Sequence, residues 1–263
     1  YSYRSGPDTE WRFEIGSKTR APSYQELYLW LPLQATGGLA DGRTYVGNLE
    51  LQEERSNEIV AGLSTGIGRF TLSPQLFFRR IDDYIQGTPS SNMVANMVAG
   101  MSSGNPALVW TNVDAEIWGA DVAWKVELTD RLFLDGIATA VRGRRTDVAD
   151  NLYRLAPFNG SVGVTFESEN WSLKSELVIY ADQDDVSSYN AEQATPGYEL
   201  VNLAFGWNPI APLRVEARID NLLDETCQDH VTGRNRAMGS DIPVGERLYG
   251  AERTFSAGLI YTF

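Results

Sequence analysis

The chain has 263 residues and a formal net charge of −13, which is the wrong sign for a phosphate-binding face, so no nucleic-acid partner is expected. Its single cysteine, Cys227, excludes an intrachain disulfide. No apolar run approaches the roughly 18 residues of a membrane-spanning helix. Tyr1-Ser2-Tyr3-Arg4 is no secretory signal, so an exported protein is expected to lack its N-terminal part in this chain.

The first element is Trp11-Arg12-Phe13-Glu14-Ile15, where apolar and charged residues alternate with the period of a strand. Pro22 ends its ladder, and an irregular stretch with turn signals at Gly37-Gly38 and Asp41-Gly42 runs to about residue 48. Alternation resumes over 54–66 and, after a tight turn at Gly66-Ile67-Gly68-Arg69, over 71–85, with Leu72, Leu76, Phe78 and Tyr84 on one face. Residues 87–106 read as loop. The strand over 108–128 shows Trp118, Ala120, Val122, Trp124 and Val126 on one face. A strand with mixed faces over 131–141 and a charged loop over 143–156 follow. Residues 158–166 and 171–182 form a clear hairpin pair, and 183–197 is a polar loop. Val201, Leu203, Phe205 and Trp207 begin the next strand. Leu213, Val215, Ala217 and Ile219 then alternate with Arg214, Glu216, Arg218 and Asp220. A long loop over 223–250 precedes the last strand, 254–263, which ends on Tyr261-Thr262-Phe263 with Ile260 out of phase.

This makes about ten strands in antiparallel meander order. Their connections alternate long and short, so every short turn falls at one end and every long loop at the other. A soluble sandwich has no reason to sort loops by length, whereas outer-membrane barrels do. Many strands exceed the roughly 5–6 residues usual in soluble sheets and reach the 9–11 that cross lipid. Twelve Tyr, ten Phe and seven Trp suit interfacial girdles. Rows of full charges on the polar face require a wet, wide interior. The fold expected is all-β, an antiparallel up-and-down transmembrane β-barrel, and the terminal aromatic strand resembles that of bacterial outer-membrane barrels.

Several segments also resemble, in order, the TonB-dependent outer-membrane receptors. Lys18-Thr19-Arg20-Ala21-Pro22-Ser23-Tyr24-Gln25-Glu26-Leu27-Tyr28 is similar to their K-x-x-R-A-P-s-x-x-E-L-Y stretch. Asn48-Leu49-Glu50-Leu51-Gln52-Glu53-Glu54 resembles N-p-x-L-x-p-E without its prolines, and Asp82-Asp83-Tyr84-Ile85 resembles i-x-D-y-I. Thr111-Asn112-Val113-Asp114-Ala115 opens a segment in which Asp121 replaces the common Glu. Arg218-Ile219-Asp220-Asn221-Leu222-Leu223-Asp224 resembles v-x-N-L-f-D, with Cys227 where an aromatic is usual, and Gly250-Ala251-Glu252-Arg253 is a degraded P-G-R. The resemblance implies that residues 1–263 are the C-terminal portion of a barrel of about 22 strands whose plug domain and early strands are absent here. It implies uptake of a metal or metal chelate, copper or ferric siderophore, energised through TonB. The partners it implies are outer-membrane lipid, the chain's own N-terminal plug and barrel half, and the TonB complex. On this reading Arg79, Lys174, Glu176, Arg214, Glu216, Arg218 and Asp220 form a lumen-facing charged wall against the plug, a role compatible with mutual pairing. The alternatives are a passive structural or adhesin-type barrel that closes alone, and a soluble β-rich binding protein.

No catalytic constellation is present, and no enzyme is expected. His230, the only histidine, lies in a polar loop without a nucleophile elbow. Asp184-Asp185 and Glu53-Glu54 are read as solvated charges rather than an acid–base pair. Gly66-Ile67-Gly68 has no following helix to make a phosphate loop. No cofactor is expected beyond a transported metal. Met93, Met97 and Met101 recur every four residues, and Cys227, His230 and Met238 lie in the last long loop. Thioether, thiol and imidazole suit a soft metal such as Cu(I), and residues 228–236 resemble the corresponding loop of the copper-receptor branch. The competing role for the methionines is flexible apolar filler under a short helix, and for His230 a loop hydrogen bond.

Overall fold

In the computed structural model, residues 1–30, 41–235, 237 and 239–262 are described, with residues 102 and 103 by their backbone alone. Strands β1 (Ser2–Gly6), β2 (Thr9–Arg20), β4 (Glu54–Ile67), β5 (Phe70–Pro89), β6 (Leu108–Glu127), β7 (Leu132–Arg145), β8 (Asn159–Glu167), β9 (Trp171–Tyr180), β10 (Tyr198–Ile210), β11 (Leu213–Asp220) and β12 (Thr254–Tyr261) follow one another in a single antiparallel meander. A two-residue strand β3 (Tyr45–Val46) joins β6 in parallel. Two short helices, α1 (Tyr24–Tyr28) and α2 (Met93–Ser103), lie in the connections. Among the described residues no pairing joins β1 to β12, so the sheet has two open edges.

The register aligns the apolar residues into rows. Phe13 faces Ala61, which faces Leu76, then Ala120 and Ala140. Lower on the sheet, Leu132, Phe166, Leu173, Phe205, Ala217 and Ala257 continue across neighbouring strands. This face is accessible: Ile15 is 87% exposed and Leu259 69%. Both helices sit in the long connections, not over these rows. The opposite face carries the charged residues, with one apolar row of Val60, Phe77, Gly119 and Val141 among them.

The five connections at one end are tight and the five at the other are long, as the loop spacing predicts. The ten expected strands are β2 and β4 to β12. The hairpin strand β1 is an addition, because Ser2-Tyr3-Arg4-Ser5-Gly6 has no apolar alternation to announce it. Three local expectations change. The segment over 87–106 is not all loop: β5 runs to Pro89, and α2 follows, capped by Asn92, whose Oδ1 accepts from Val94 N and Ala95 N, and closed by Gly104 at φ 71°. The charged loop after β7 starts later than residue 143, because Arg145 still pairs with Ala115. Tyr84 does not share the face of Phe78. A bulge between Ile81 and Tyr84, with Asp83 at φ 58°, sets Phe78 against Trp118 but Tyr84 against Val113, an odd number of residues away. One extra residue moves everything beyond it to the other face. The turn signals at Gly37-Gly38 and the terminal Phe263 lie outside the described residues.

Past the bulge, β5 and β6 leave the lipid-length part of the sheet and are covered on both sides. Ile85, Gln86, Thr88, Leu108 and Val113 are buried there. Ala95 and Ala99 of α2 pack against Val46 and Ala107. Small residues on that helix face let it lie close to the hairpin.

Candidate functional site

The long-loop end is held by a belt of polar residues, and the family-like segments supply much of it. Ser23 caps α1 in a capping box: its hydroxyl accepts from Glu26 N, and its N–H donates to Glu26 Oε2 at 2.6 Å. Arg20 then grips Glu26 at 2.9 Å and Glu54 at 2.7 Å. Burial alone would raise the Glu26 carboxyl, but the bonds from Arg20 and Ser23 hold it below the usual carboxylate range. Glu54 also accepts from Ile85 N, which ties β4 to the top of β5. Asn112 donates to Gln52 O and Asp83 O. Asn221, at φ 53° and buried, donates to Glu225 O and Ala251 O, which closes the turn after β11. Arg253, the remnant of the degraded turn, donates its N–H to Asp224.

Above this belt all five long loops meet around two adjoining cavities of about 80 and about 370 Å³, which share Asp41, Tyr153 and Arg154. Asp41 is a buried node: its carboxylate accepts from Arg43 N at 3.0 Å, Tyr45 OH at 2.7 Å and Tyr153 OH at 3.0 Å. Burial pushes both phenols up, and the Asp41 charge adds to it, so they remain donors. Glu192 is a second node, accepting from Arg154 N and Ser187 N, each at 2.8 Å. Arg154 and Ala191 both take left-handed backbone angles there, at φ 62° and 52°.

The candidate soft-metal residues divide into two places. Met93, Met97 and Met101 form one stripe on α2, 84%, 61% and 75% exposed, turned away from the Ala95–Ala99 packing face. They fill no gap. His230 is 3% exposed, with Nε2 3.1 Å from Glu192 Oε1 and Nδ1 3.0 Å from Thr195 Oγ1, so both ring nitrogens are engaged and bind the loop over 221–253 to that over 181–197. Cys227 is buried against Gly250, where an added Cβ would lie 2.6 Å from its sulfur, and burial pushes its thiol up. Among the described residues no group of three or more His, Cys, Asp or Glu could hold a metal. Met238 lies outside them.

The charged face is paired strand by strand. Arg79 meets Glu58 at 2.9 Å. Lys174 bridges Asp135 at 2.9 Å and Glu176 at 3.6 Å, over Gly163, whose missing side chain leaves room for it. Arg214 meets Glu216 and Arg218 meets Asp220, each at 2.6 Å. These pairs are half-exposed, so each contributes about 1 kcal/mol or less. The residues that the sequence did not single out are the cavity arginines Arg43, Arg154 and Arg247; a fourth, Arg234, falls within the 228–236 stretch. They come from distant loops with no spacing motif.

An antiparallel meander with an accessible apolar face, a charged opposite face and loops sorted by length is the wall of a transmembrane β-barrel. A family model described as TonB dependent receptor-like, beta-barrel, matches residues 1–222. The chain belongs to that family, which is one of transport receptors. No curated protein matches its sequence. Among solved structures it is similar to the copper transporter OprC, with 19% identity over 100% of this chain and 38% of that one and a TM-score of 0.82. It is also similar to a mutant of the ferric enterobactin receptor PfeA from Pseudomonas aeruginosa in complex with enterobactin (17% identity, 100% and 40% coverage, TM-score 0.71). A third is the FrpB iron transporter from Neisseria meningitidis (14% identity, 100% and 38% coverage, TM-score 0.70). The chain thus spans about two fifths of the length of these structures.

Proposed function

We propose that this chain forms part of the barrel wall of an outer-membrane receptor that takes up a metal or metal chelate and is energised through TonB. The observation that carries this reading is the asymmetry of the two ends: five long loops gather over adjoining cavities at one, and only tight turns close the other. That is the form of a barrel with an outward-facing receptor surface and a plain periplasmic rim. The open edges at β1 and β12 fit pairing with the rest of a larger barrel, since exposed strand edges are otherwise a hazard. The residues 1–263 are then the C-terminal portion, with the plug and early strands supplied by the protein's N-terminal part. The charged wall of Arg79, Lys174, Glu176, Arg214, Glu216, Arg218 and Asp220 faces the lumen and meets the plug. A passive barrel closing alone is disfavoured by the absence of a β1–β12 pairing among the described residues.

The methionine stripe supports a role in soft-metal capture. Three exposed thioethers at helical spacing offer the ligands Cu(I) prefers, at the outer surface of the loop cluster. Uptake of radiolabelled copper and iron complexes into cells with and without the protein tests the transport reading. Expected is an uptake increment that vanishes when the proton-motive force is collapsed or TonB is removed. An increment that survives both treatments would identify a passive pore.

A further inference from the structure

A basin of about 790 Å³ lies at the top of β7 and shares no residue with the two cavities under the loop cluster. That volume is within the roughly 300–1,000 Å³ usual for small-molecule sites. One wall is the hairpin that extends β7, where Arg144 pairs with Asn151 and Arg145 N donates to Asp150 O. The other is Val186 and Ser188 of the loop over 181–197. The register fixes its height. Arg144 stands opposite Glu116, and the same row runs on through Arg80 and Asn57. Two residues lower on each strand, and on the same side of the sheet, Ile59, Phe78 and Trp118 end the apolar rows. Arg142, opposite Trp118, meets Asp185 at 2.7 Å, which ties the second loop down at this level. The basin therefore opens where the lipid-facing band gives way to water, at the height of lipid headgroups.

The charges around the basin are paired within the protein. Arg144 meets Glu116 at 2.8 Å and Arg145 meets Asp147 at 2.6 Å. The bonds from Arg145 hold the Asp147 carboxyl below the usual carboxylate range. Asp150 accepts from Ser187 Oγ at 2.5 Å, Ser188 N at 2.8 Å and Ser188 Oγ at 2.9 Å. Neither sign of charge is left over to draw in a free ion. One donor is left over. Arg145 is 6% exposed, and its Nη1 is buried without a hydrogen-bond partner. A buried donor left unpaired costs about 1–3 kcal/mol and calls for a specific partner. The ring of Tyr189, itself exposed, lies over that guanidinium at 4.9 Å. The hydroxyls of Thr146 and Ser188 and the amide of Asn151 complete the lining. Mixed donors and acceptors with balanced charge suit a polyhydroxyl ligand, since each of its hydroxyls both donates and accepts.

We propose that this basin binds the saccharide headgroup of an outer-leaflet glycolipid, with a sugar oxygen accepting from Arg145 Nη1 once the Tyr189 ring swings aside. The place of the basin argues for a lipid-borne sugar. Arg144 lines it one step above the apolar rows, so a headgroup seated there keeps its acyl chains against the exposed Ile59, Phe78 and Trp118. The lipid is a partner of the barrel wall and not its cargo, so the site is independent of what the receptor imports.

Native mass spectrometry of the full-length protein in detergent tests the site with three probes: lipid A, its deacylated disaccharide, and phosphatidylglycerol, an anionic lipid without a sugar. Lipid A is expected to bind tightest. Arg145→Gln removes the unpaired donor, and Ala149→Trp, at an exposed position of the lining, fills the basin. Each is expected to weaken lipid A binding roughly tenfold. The disaccharide is expected to bind more weakly than lipid A and to lose the same factor, while phosphatidylglycerol answers to neither substitution. Strand content by circular dichroism checks each variant's fold, and Ala149→Trp decides the question if Arg145→Gln misfolds. The proposal is overturned if the unsubstituted protein does not bind lipid A, or if the folded variants bind it as before. It is overturned equally if phosphatidylglycerol binds as tightly and with the same sensitivity, which would mark a general anionic-lipid patch. Binding of the free disaccharide as tight as that of lipid A overturns the lipid-borne source.

Discussion

At the scale of single residues, the family-like segments are structural fasteners before they are anything else. Arg20, Glu26 and Glu54 come from three segments and converge on one guanidinium. Because Glu26 is held below its ordinary range, its contribution is fully present above the unfolded carboxylate value of about 4.3 and is lost as pH falls through the lower folded value. Protection of the α1 amides against hydrogen exchange is therefore expected to be high at neutral pH and to fall in acid, whereas in Glu26→Gln it is low at both, because the carboxamide has no charge to lose. The methionine stripe behaves oppositely. Replacing Met93, Met97 and Met101 by Leu touches no packing face, so stability is expected to change by less than about 0.5 kcal/mol, while Cu(I) affinity falls at least tenfold. Unchanged Cu(I) binding in that triple variant would remove copper capture from α2. Of the candidate site, the methionines and His230 were legible as residue types. The arginine cluster was not, because Arg43 and Arg247 are 204 positions apart in the chain and only the closed loops bring them together.

At the scale of elements, period-two alternation located most of the long strands, because one face of each is largely apolar, while β7 was placed despite its mixed faces. It failed where the period is interrupted. The bulge at Asp83 reverses the face of Tyr84 without any break in apolar character, and a polar hairpin strand such as β1 has no period to show. The helix α2 was missed, since residues 87–106 read as loop, although Asn92 and Gly104 cap it in the structure. The bulge makes a specific demand. Asp83→Gly accepts φ 58° without strain and is expected to fold normally. Deleting Asp83 forces Tyr84 to Thr88 onto the opposite face, tears Ile85 N from Glu54, and is expected to abolish the compact, heat-modifiable form on electrophoresis. A deletion variant that migrates as the native protein would show that the bulge does not set this register.

At the scale of the whole molecule, the fold makes sense only as a wall between two solvents. Its apolar rows run across ten strands, β2 and β4 to β12, and lie uncovered, while the charged rows pair with one another on the other side. Burying such a face in hydrocarbon offsets what would otherwise be a large exposed apolar patch, and the closed hydrogen bonding of a completed barrel satisfies the backbone there. Spin labels test this most directly. Single cysteines at Leu76, Phe205 and Leu259 on the apolar face, and at Gln75, Ser172 and Ser256 on the other, are introduced with Cys227→Ser into the full-length protein and reconstituted in bilayers. The expected result is relaxation of the first three by oxygen, which concentrates in lipid, and of the second three by a water-soluble nickel chelate. Labels on the apolar face that answer to the nickel chelate, or no difference between the two sets, would contradict a lipid-facing wall.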